Sequence, residues 1–187
     1  MGLDDAEHWD PRWRKVGSAP NGGDLPSAFA SNIDAFPSSG DALEIACGRG
    51  RMSVWLARRG LMVHGVDVSP VAIDLASELA AASGVAGRCR FAVHDLDHGL
   101  PSGPPVDLVV CHLFRDQTLD EPMMQRLKPG GTLAVAVLSE VGAEPGRFRA
   151  RPGELLDAFA ALDIVAAEEA HGQAWLIGRA GERSALA

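Results

Sequence analysis

From residue 42 onward, short apolar runs recur along the chain, and most are separated by stretches with helical periodicity. The runs at 42–46, 61–66, 89–93, 106–111, 132–138, 164–168 and 174–179 predict seven strands. Most of these runs are apolar on both faces, the pattern of a parallel sheet covered on both sides. Between them, 51–59 carries an apolar stripe at 52, 55 and 56 and stops at Gly60, a helix with a glycine end. Ser69-Pro70 is a favourable helix start, the face Val71, Leu75, Leu79 follows, and Ser83-Gly84 ends it. Further helices are predicted over 119–127, closed by the turn Lys128-Pro-Gly-Gly131, and over 152–160. The last two strands flank a short Ala-His-Gly-Gln turn, so they form a hairpin and one of them is antiparallel. The expected fold is α/β: a doubly wound, mostly parallel seven-stranded sheet with a C-terminal antiparallel hairpin.

Residues 1–40 read differently, being rich in Pro, Gly, Ser and Asp, with two tryptophans in Trp9-Asp-Pro-Arg-Trp13 and a short helix predicted over 26–36. Too few apolar residues are present for a separate core, so 1–40 is expected to be an arm and candidate lid on a single domain, 41–187. At 47% hydrophobic and 22% charged residues the composition is that of a globular protein. No apolar run approaches the ~20 residues needed to span a bilayer. The acidic start is unlike a secretory leader, so a cytoplasmic protein without membrane contact is expected. The net charge of −8 and the scattered basic residues argue for a small-molecule partner and against nucleic acid. The run Arg147-Phe-Arg-Ala-Arg151 reads as a solvated loop. Cys47, Cys89 and Cys111 lack metal or disulfide spacing and are expected to be reduced thiols. His94 and His98 fall in a loop, so no metal site is expected.

Candidate chemistry centres on Ala42-Leu-Glu-Ile-Ala-Cys-Gly-Arg-Gly50, an apolar run entering a turn with two glycines and an acid four positions before the first. Glycines let a backbone approach a ligand closely. Asp67, closing the second run, is placed to accept from both hydroxyls of a ribose. A dinucleotide fingerprint would carry a third glycine where Ser53 stands, and it gives no reason for Glu44; a nicotinamide cofactor is therefore disfavoured.

Four segments in order, Leu43-Glu-Ile-Ala-Cys-Gly-Arg-Gly50, Gly65-Val-Asp-Val-Ser69, His94-Asp95-Leu96 and Leu127-Lys-Pro-Gly-Gly131, resemble the class I S-adenosylmethionine-dependent methyltransferases over roughly residues 40–140. More narrowly, Trp9-Asp-Pro-Arg-Trp13, the helix Gly50–Gly60 and Arg151-Pro-Gly-Glu-Leu-Leu156 resemble the tellurite-resistance and thiopurine methyltransferase-like branch. Trp13 stands where that branch usually has tyrosine, and Met52 where asparagine is common.

The resemblance implies a Rossmann-like fold and S-adenosyl-L-methionine as cofactor. It implies that Ala46, Cys47, Gly48 and Gly50 lie against the methionine moiety, and that Asp67 binds the ribose with Val68 beside the adenine. Asp95 would accept from the adenine amino group, with the Leu96 backbone alongside, and Cys111 and His112 would face the methyl group. Each residue also has a plainer role. Glu44 serves equally well to orient the turn, Asp67 and Asp95 to cap turns, Cys47 to pack, and Trp9 and Trp13 to anchor the arm. His112 is the candidate general base, needed only if the acceptor must lose a proton, and Arg115 is a candidate substrate contact. The implied activity is in-line methyl transfer to a small molecule, with a thiol or other soft nucleophile as the acceptor. A non-catalytic module that binds the cofactor or its demethylated product is the alternative.

Overall fold

The computed structural model describes residues 3–17, 22–146 and 148–182, so Arg147 and residues 18–21 of the arm lie outside the described residues. Five strands, β1 (Asp41–Ile45), β2 (Met62–Asp67), β3 (Cys89–Val93), β4 (Val106–His112) and β5 (Leu127–Ser139), pair in parallel in the order β3-β2-β1-β4-β5. A two-residue strand, β6 (Arg149–Ala150), joins the far end of β5, making eight strands among the described residues rather than seven. The hairpin of β7 (Asp163–Ala170) and β8 (Gln173–Arg179) closes the sheet, with β8 antiparallel to both β5 and β7. Its outer strand β7 is largely exposed, unlike the doubly buried central strands, and carries Glu168 and Glu169 on a free edge.

Alternation along the strands divides two cores. Ala42, Val63, Leu108, Val110 and Ala134 face α2 (Arg51–Arg59), while α3 (Pro70–Ala82) docks beside it through Leu79 and Ala80 on Val54. Leu43, Ile45, Val109, Leu133 and Val135 face the opposite side, under the short helices α4 (Asp120–Gln125) and α5 (Glu154–Ala158), which contribute Met123 and Leu155. The caps follow the sequence. Gly60 adopts φ 118° and donates to the Leu56 and Ala57 carbonyls, and the Ser69 hydroxyl accepts from the Ala72 amide at 3.1 Å with Pro70 in the first helical position. Gly153, in a left-handed conformation at φ 77°, delays α5 to Glu154, two residues after the expected start.

Two pieces make up the arm. Its second half forms a 3-10 helix, Ser27–Ala35, in place of the expected α-helix, with a kink at Asn32. Phe29 and Phe36 are buried there, edge-on to Trp175 and Trp55, and bury this piece in the body at about 1.5–3 kcal/mol for each ring. Its first half is a 14-residue helix, α1 (Leu3–Val16), that the sequence reading did not anticipate. Pro11 inside it and its polar composition hide the periodicity. This helix packs on α3, where the Ser69 hydroxyl donates to Asp10 at 2.5 Å. Among the described residues no helix is long and apolar enough to cross a membrane.

Candidate cofactor site

In this sheet β1 has β2 on one side and β4 on the other, and the connections leave in opposite directions, which opens a crevice at the strands' carboxyl ends. The chain leaves β1 through Ala46 at φ 52°, a left-handed conformation costly for a residue with a Cβ, and continues through Gly48 at φ 52°. These two residues turn the loop toward β2. There the Cys47 amide donates to the Val66 carbonyl at 2.9 Å and the Gly48 amide donates to Asp67 Oδ2 at 2.8 Å. The other Asp67 oxygen accepts from the Ser69 amide at 3.0 Å. Asp67 therefore holds two loops together through the Gly48, Ser69 and Val68 amides, and its carboxylate still has acceptor capacity for a ligand hydroxyl. Burial pushes its pKa up, against the pull of those amides.

A cavity of about 440 Å³ opens beside this loop, within the range of small-molecule sites. Trp9, Trp13, Glu44, Ala46, Cys47, Gly48, Asp67 and His112 all line it, so eight of the residues expected from the sequence converge on one space. A Cβ on Gly48 would come within 2.8 Å of the Trp13 ring, so a side chain at 48 would strike the indole as well as strain the backbone. Trp9 and Trp13 lie 6.5 Å apart with planes tilted by 30°. The Arg49 guanidinium, donating to the Gly17 carbonyl at 3.1 Å, ties the end of α1 to the glycine turn.

Glu44 is 4% exposed and accepts a very short hydrogen bond from the Ser53 hydroxyl. The serine in place of a third glycine thus has a role: it is the partner of the buried acid. Burial, reinforced by the neighbouring Asp67, pushes the Glu44 pKa up to about 8, against the Ser53 bond. A buried carboxyl beside a second acid is suited to a cationic group, whose charge would draw it into the ionised form. Cys47, between these acids, has its thiol raised well above the usual range by burial first and then by Glu44 and Asp67, so it packs as a protonated thiol.

At the end of β4, His112 faces the cavity and Leu113 follows at φ 59°, a second strained residue in the wall. Burial holds the His112 pKa below the ordinary histidine value, only partly opposed by Asp24. The ring is therefore largely neutral at pH 7, the form that accepts a proton.

Other expected contacts lie elsewhere. Cys111 is buried and donates to the Phe114 carbonyl at 3.2 Å, and burial raises its thiol to about 12. Gly50 caps α2 with φ 73°, and a Cβ there would meet the Ala76 methyl at 2.8 Å, so it serves the α2–α3 contact. Arg115, expected against substrate, is turned away from the cavity and held by Asp120 Oδ2 at 2.8 Å and Glu154 Oε1 at 2.9 Å. Two carboxylates on one buried guanidinium satisfy it, so it fastens the β4–α4 loop to α5. Val68 and Leu96 are buried outside the cavity lining, and Asp95 caps the turn Leu96–His98 by accepting from the Asp97 amide at 3.0 Å. His94 contacts the Gly99 carbonyl at 2.8 Å, and His98 approaches Asp95 at 3.4 Å. Missed by the sequence reading was Asp24, which lines the cavity and grips Arg51 with bonds of 2.6 and 2.7 Å. An acid in a Pro- and Gly-rich arm gives no periodic signal that would place it there.

Residues 42–131 match the methyltransferase domain family. Among relatives, the ribosomal RNA small subunit methyltransferase C of Alcanivorax borkumensis is 38% identical over 104 residues, covering 50% of this chain and 31% of that protein. The ubiquinone biosynthesis O-methyltransferase of Xylella fastidiosa is 32% identical over 122 residues, covering 57% of this chain and 49% of that protein. The chain thus spans between about a third and a half of the length of these relatives. In fold it is similar to TehB from Haemophilus influenzae, with a TM-score of 0.71 and 17% identity over 83% of this chain and 63% of that one. It is similar also to magnesium protoporphyrin IX methyltransferase from Synechocystis, solved with bound SAH, with a TM-score of 0.70 and 15% identity over 95% of this chain and 98% of that one. The TehB likeness matches the branch resemblance at the level of fold.

One expectation is overturned. The acidic net charge argues against nucleic acid, yet a ribosomal RNA methyltransferase is among the relatives. Net charge is a property of the whole surface and does not report what one cleft receives. The matched residues 42–131 carry a methyltransferase domain, and the chain's sheet order and four motifs are like those of the class I S-adenosylmethionine-dependent methyltransferases.

Proposed function

We propose that this chain binds S-adenosylmethionine in the cavity beside Gly48 and transfers its methyl group to a small molecule bearing a thiol or other soft nucleophile. The observation that carries the reading is the convergence of two tryptophans, two buried acids and one neutral imidazole on a single cavity of small-molecule size. When bound, the cofactor supplies an electrophilic sulfonium methyl. The chain's own residues then have separable tasks. Asp67 accepts from the ribose with the acceptor capacity its amide donors leave free. Glu44 offsets the positive charge of the methionine end and gives up its proton in doing so. Trp9 and Trp13, on α1, act as a lid: they exclude water and present ring faces to a cation, a contact worth about 2 kcal/mol when desolvated. His112 takes the proton of a thiol or hydroxyl acceptor held against the cavity wall. The largest contribution is positional, because holding nucleophile and methyl in line removes much of the entropic barrier.

Release of S-adenosylhomocysteine, measured with the chain and a panel of thiols, phenols, oxyanions and RNA, tests the reading. Turnover with a thiol or other small nucleophile is the expected result. Turnover with RNA alone would replace the acceptor, and cofactor binding with no turnover on any arm would leave the non-catalytic module.

A further inference from the structure

At the opposite ends of the same strands the charges reverse. His64 on β2 sits in register with Leu43 on β1 and Arg90 on β3, so the three share the sheet face turned away from α2. On that face α4 and α5 cover β4, β5 and β8. The connection from β3 to β4 contains only a three-residue turn, Leu96–His98, and leaves His64 and Arg90 without a helix above them. A cavity of about 410 Å³ results, with His64, Arg88, Arg90 and Arg126 in its wall and Asp41 at its edge.

The polar groups here are unbalanced in sign. His64 Nε2 is buried without a hydrogen-bond partner among the described residues. Arg126 spends its donors on two carbonyls, Pro104 at 3.3 Å and Pro101 in a very short contact, and Arg88 donates to the Gly60 carbonyl at 3.0 Å. Neither guanidinium is neutralised by these bonds. The acid at the rim, Asp41, lies 3.4 Å from Lys128. Burial, with the charges of Arg90, Arg126 and the nearby His94, holds His64 below its usual pKa, as a neutral ring surrounded by cations. A buried ring nitrogen without a partner is destabilising, and a ligand oxygen would relieve it when that nitrogen carries the proton.

We propose that this cavity is an anion site that binds a phosphate group through Arg90, Arg126 and His64. A guanidinium suits phosphate because its planar fork places two donors on two oxygens. His64 adds a donor when its Nε2 carries the proton. The site lies roughly 20 Å, one strand length, from the glycine turn, so it reads a phosphate apart from the reacting atoms. Two sources share this chemistry, a free phosphorylated metabolite and the backbone of a nucleic acid.

Titrating the full chain with inorganic phosphate at fixed ionic strength, while following the His64 imidazole resonances by NMR, tests it. A saturable shift with a Kd of about 1 mM is expected, and a loss of at least about tenfold in Arg90→Glu. His64→Gln, read by backbone amide shifts of β2 and β3, should weaken binding less. Cofactor affinity should stay unchanged in Arg90→Glu, which shows that the variant is folded. No saturable shift, or equal affinity in Arg90→Glu, would overturn the proposal. Repeating the titration with a nucleoside monophosphate and with a single-stranded RNA oligonucleotide identifies the source: displacement of phosphate only by the first supports a metabolite, and tighter binding of the second supports a nucleic-acid backbone.

Discussion

The two ends of β1 and β2 are built from the same apolar strands and carry opposite chemistry. Their carboxyl ends bury acids, Glu44 and Asp67, in a wall whose two arginines are engaged elsewhere, Arg51 with Asp24 and Arg49 with the Gly17 carbonyl. Their amino ends gather Arg88, Arg90, Arg126 and His64, with a single acid at the rim. Backbone geometry underlies part of the contrast. At the carboxyl ends, left-handed residues at Ala46 and Gly48 bend the loop so that amides meet Asp67. At the amino ends, a missing helix leaves the sheet face open. A chain of net charge −8 thus keeps two local environments of opposite sign, and each selects a different ligand charge.

The comparison can be broken most severely at His112. His112→Gln should lower kcat by about 100- to 1000-fold while leaving cofactor affinity in place, because only a proton acceptor is removed. In the wild type, turnover should fall as pH drops below the ordinary histidine range, since the depressed pKa keeps the ring neutral down to there. A kcat independent of His112 would remove the base from the account. Next in size is Asp67→Ala, which should weaken cofactor binding about 100-fold by calorimetry, the loss expected when a charged acceptor of ligand hydroxyls is deleted. Asp67→Asn, which keeps the loop contacts in part, separates loss of the ligand bond from loss of the turn.

Trp13→Ala should weaken the cofactor by about tenfold, as a desolvated ring face is lost, with Trp9→Ala smaller; unchanged affinity would make α1 an anchor rather than a lid. The mildest test concerns Glu44 and pH. Its folded pKa of about 8 lies above the ordinary 4.5, so the folded protein holds an extra proton between those values. The stability this gives is complete below pH 4.5 and is lost as pH rises toward 8, by about 1.4 kcal/mol for each unit. Glu44→Gln should flatten that slope in denaturant titrations of the cofactor-free protein at pH 5 and 7.5. Cofactor binding at pH 7 should release about one proton from the wild type and none from this variant.

Legibility in the sequence followed local signals. The central strands were visible as apolar runs, and the starts and ends of α2 and α3 through Gly60 and Ser69-Pro70, because capping is a matter of adjacent residues. Glu44, Gly48 and Asp67 share the cavity because the glycine turn and the acid of β2 lie at neighbouring strand ends, whereas Trp9, Trp13 and His112 are named in the sequence only through the family resemblance. The rest depended on tertiary partners. Arg115 looked available on its loop, and only the fold brings Glu154, 39 residues away, against it. Helix α1 was hidden by Pro11, and the basic cavity by residues scattered from His64 to Arg126 on three elements. Ser53 departs from a glycine pattern in the sequence, but its bond to Glu44 appears only when α2 folds onto β1.

Calorimetric titration of the wild-type chain with S-adenosylmethionine, S-adenosylhomocysteine and NAD tests the central claim most directly. The account predicts saturable binding of the first two at one site and none of NAD. Binding of NAD alone, or of none of the three, would contradict it.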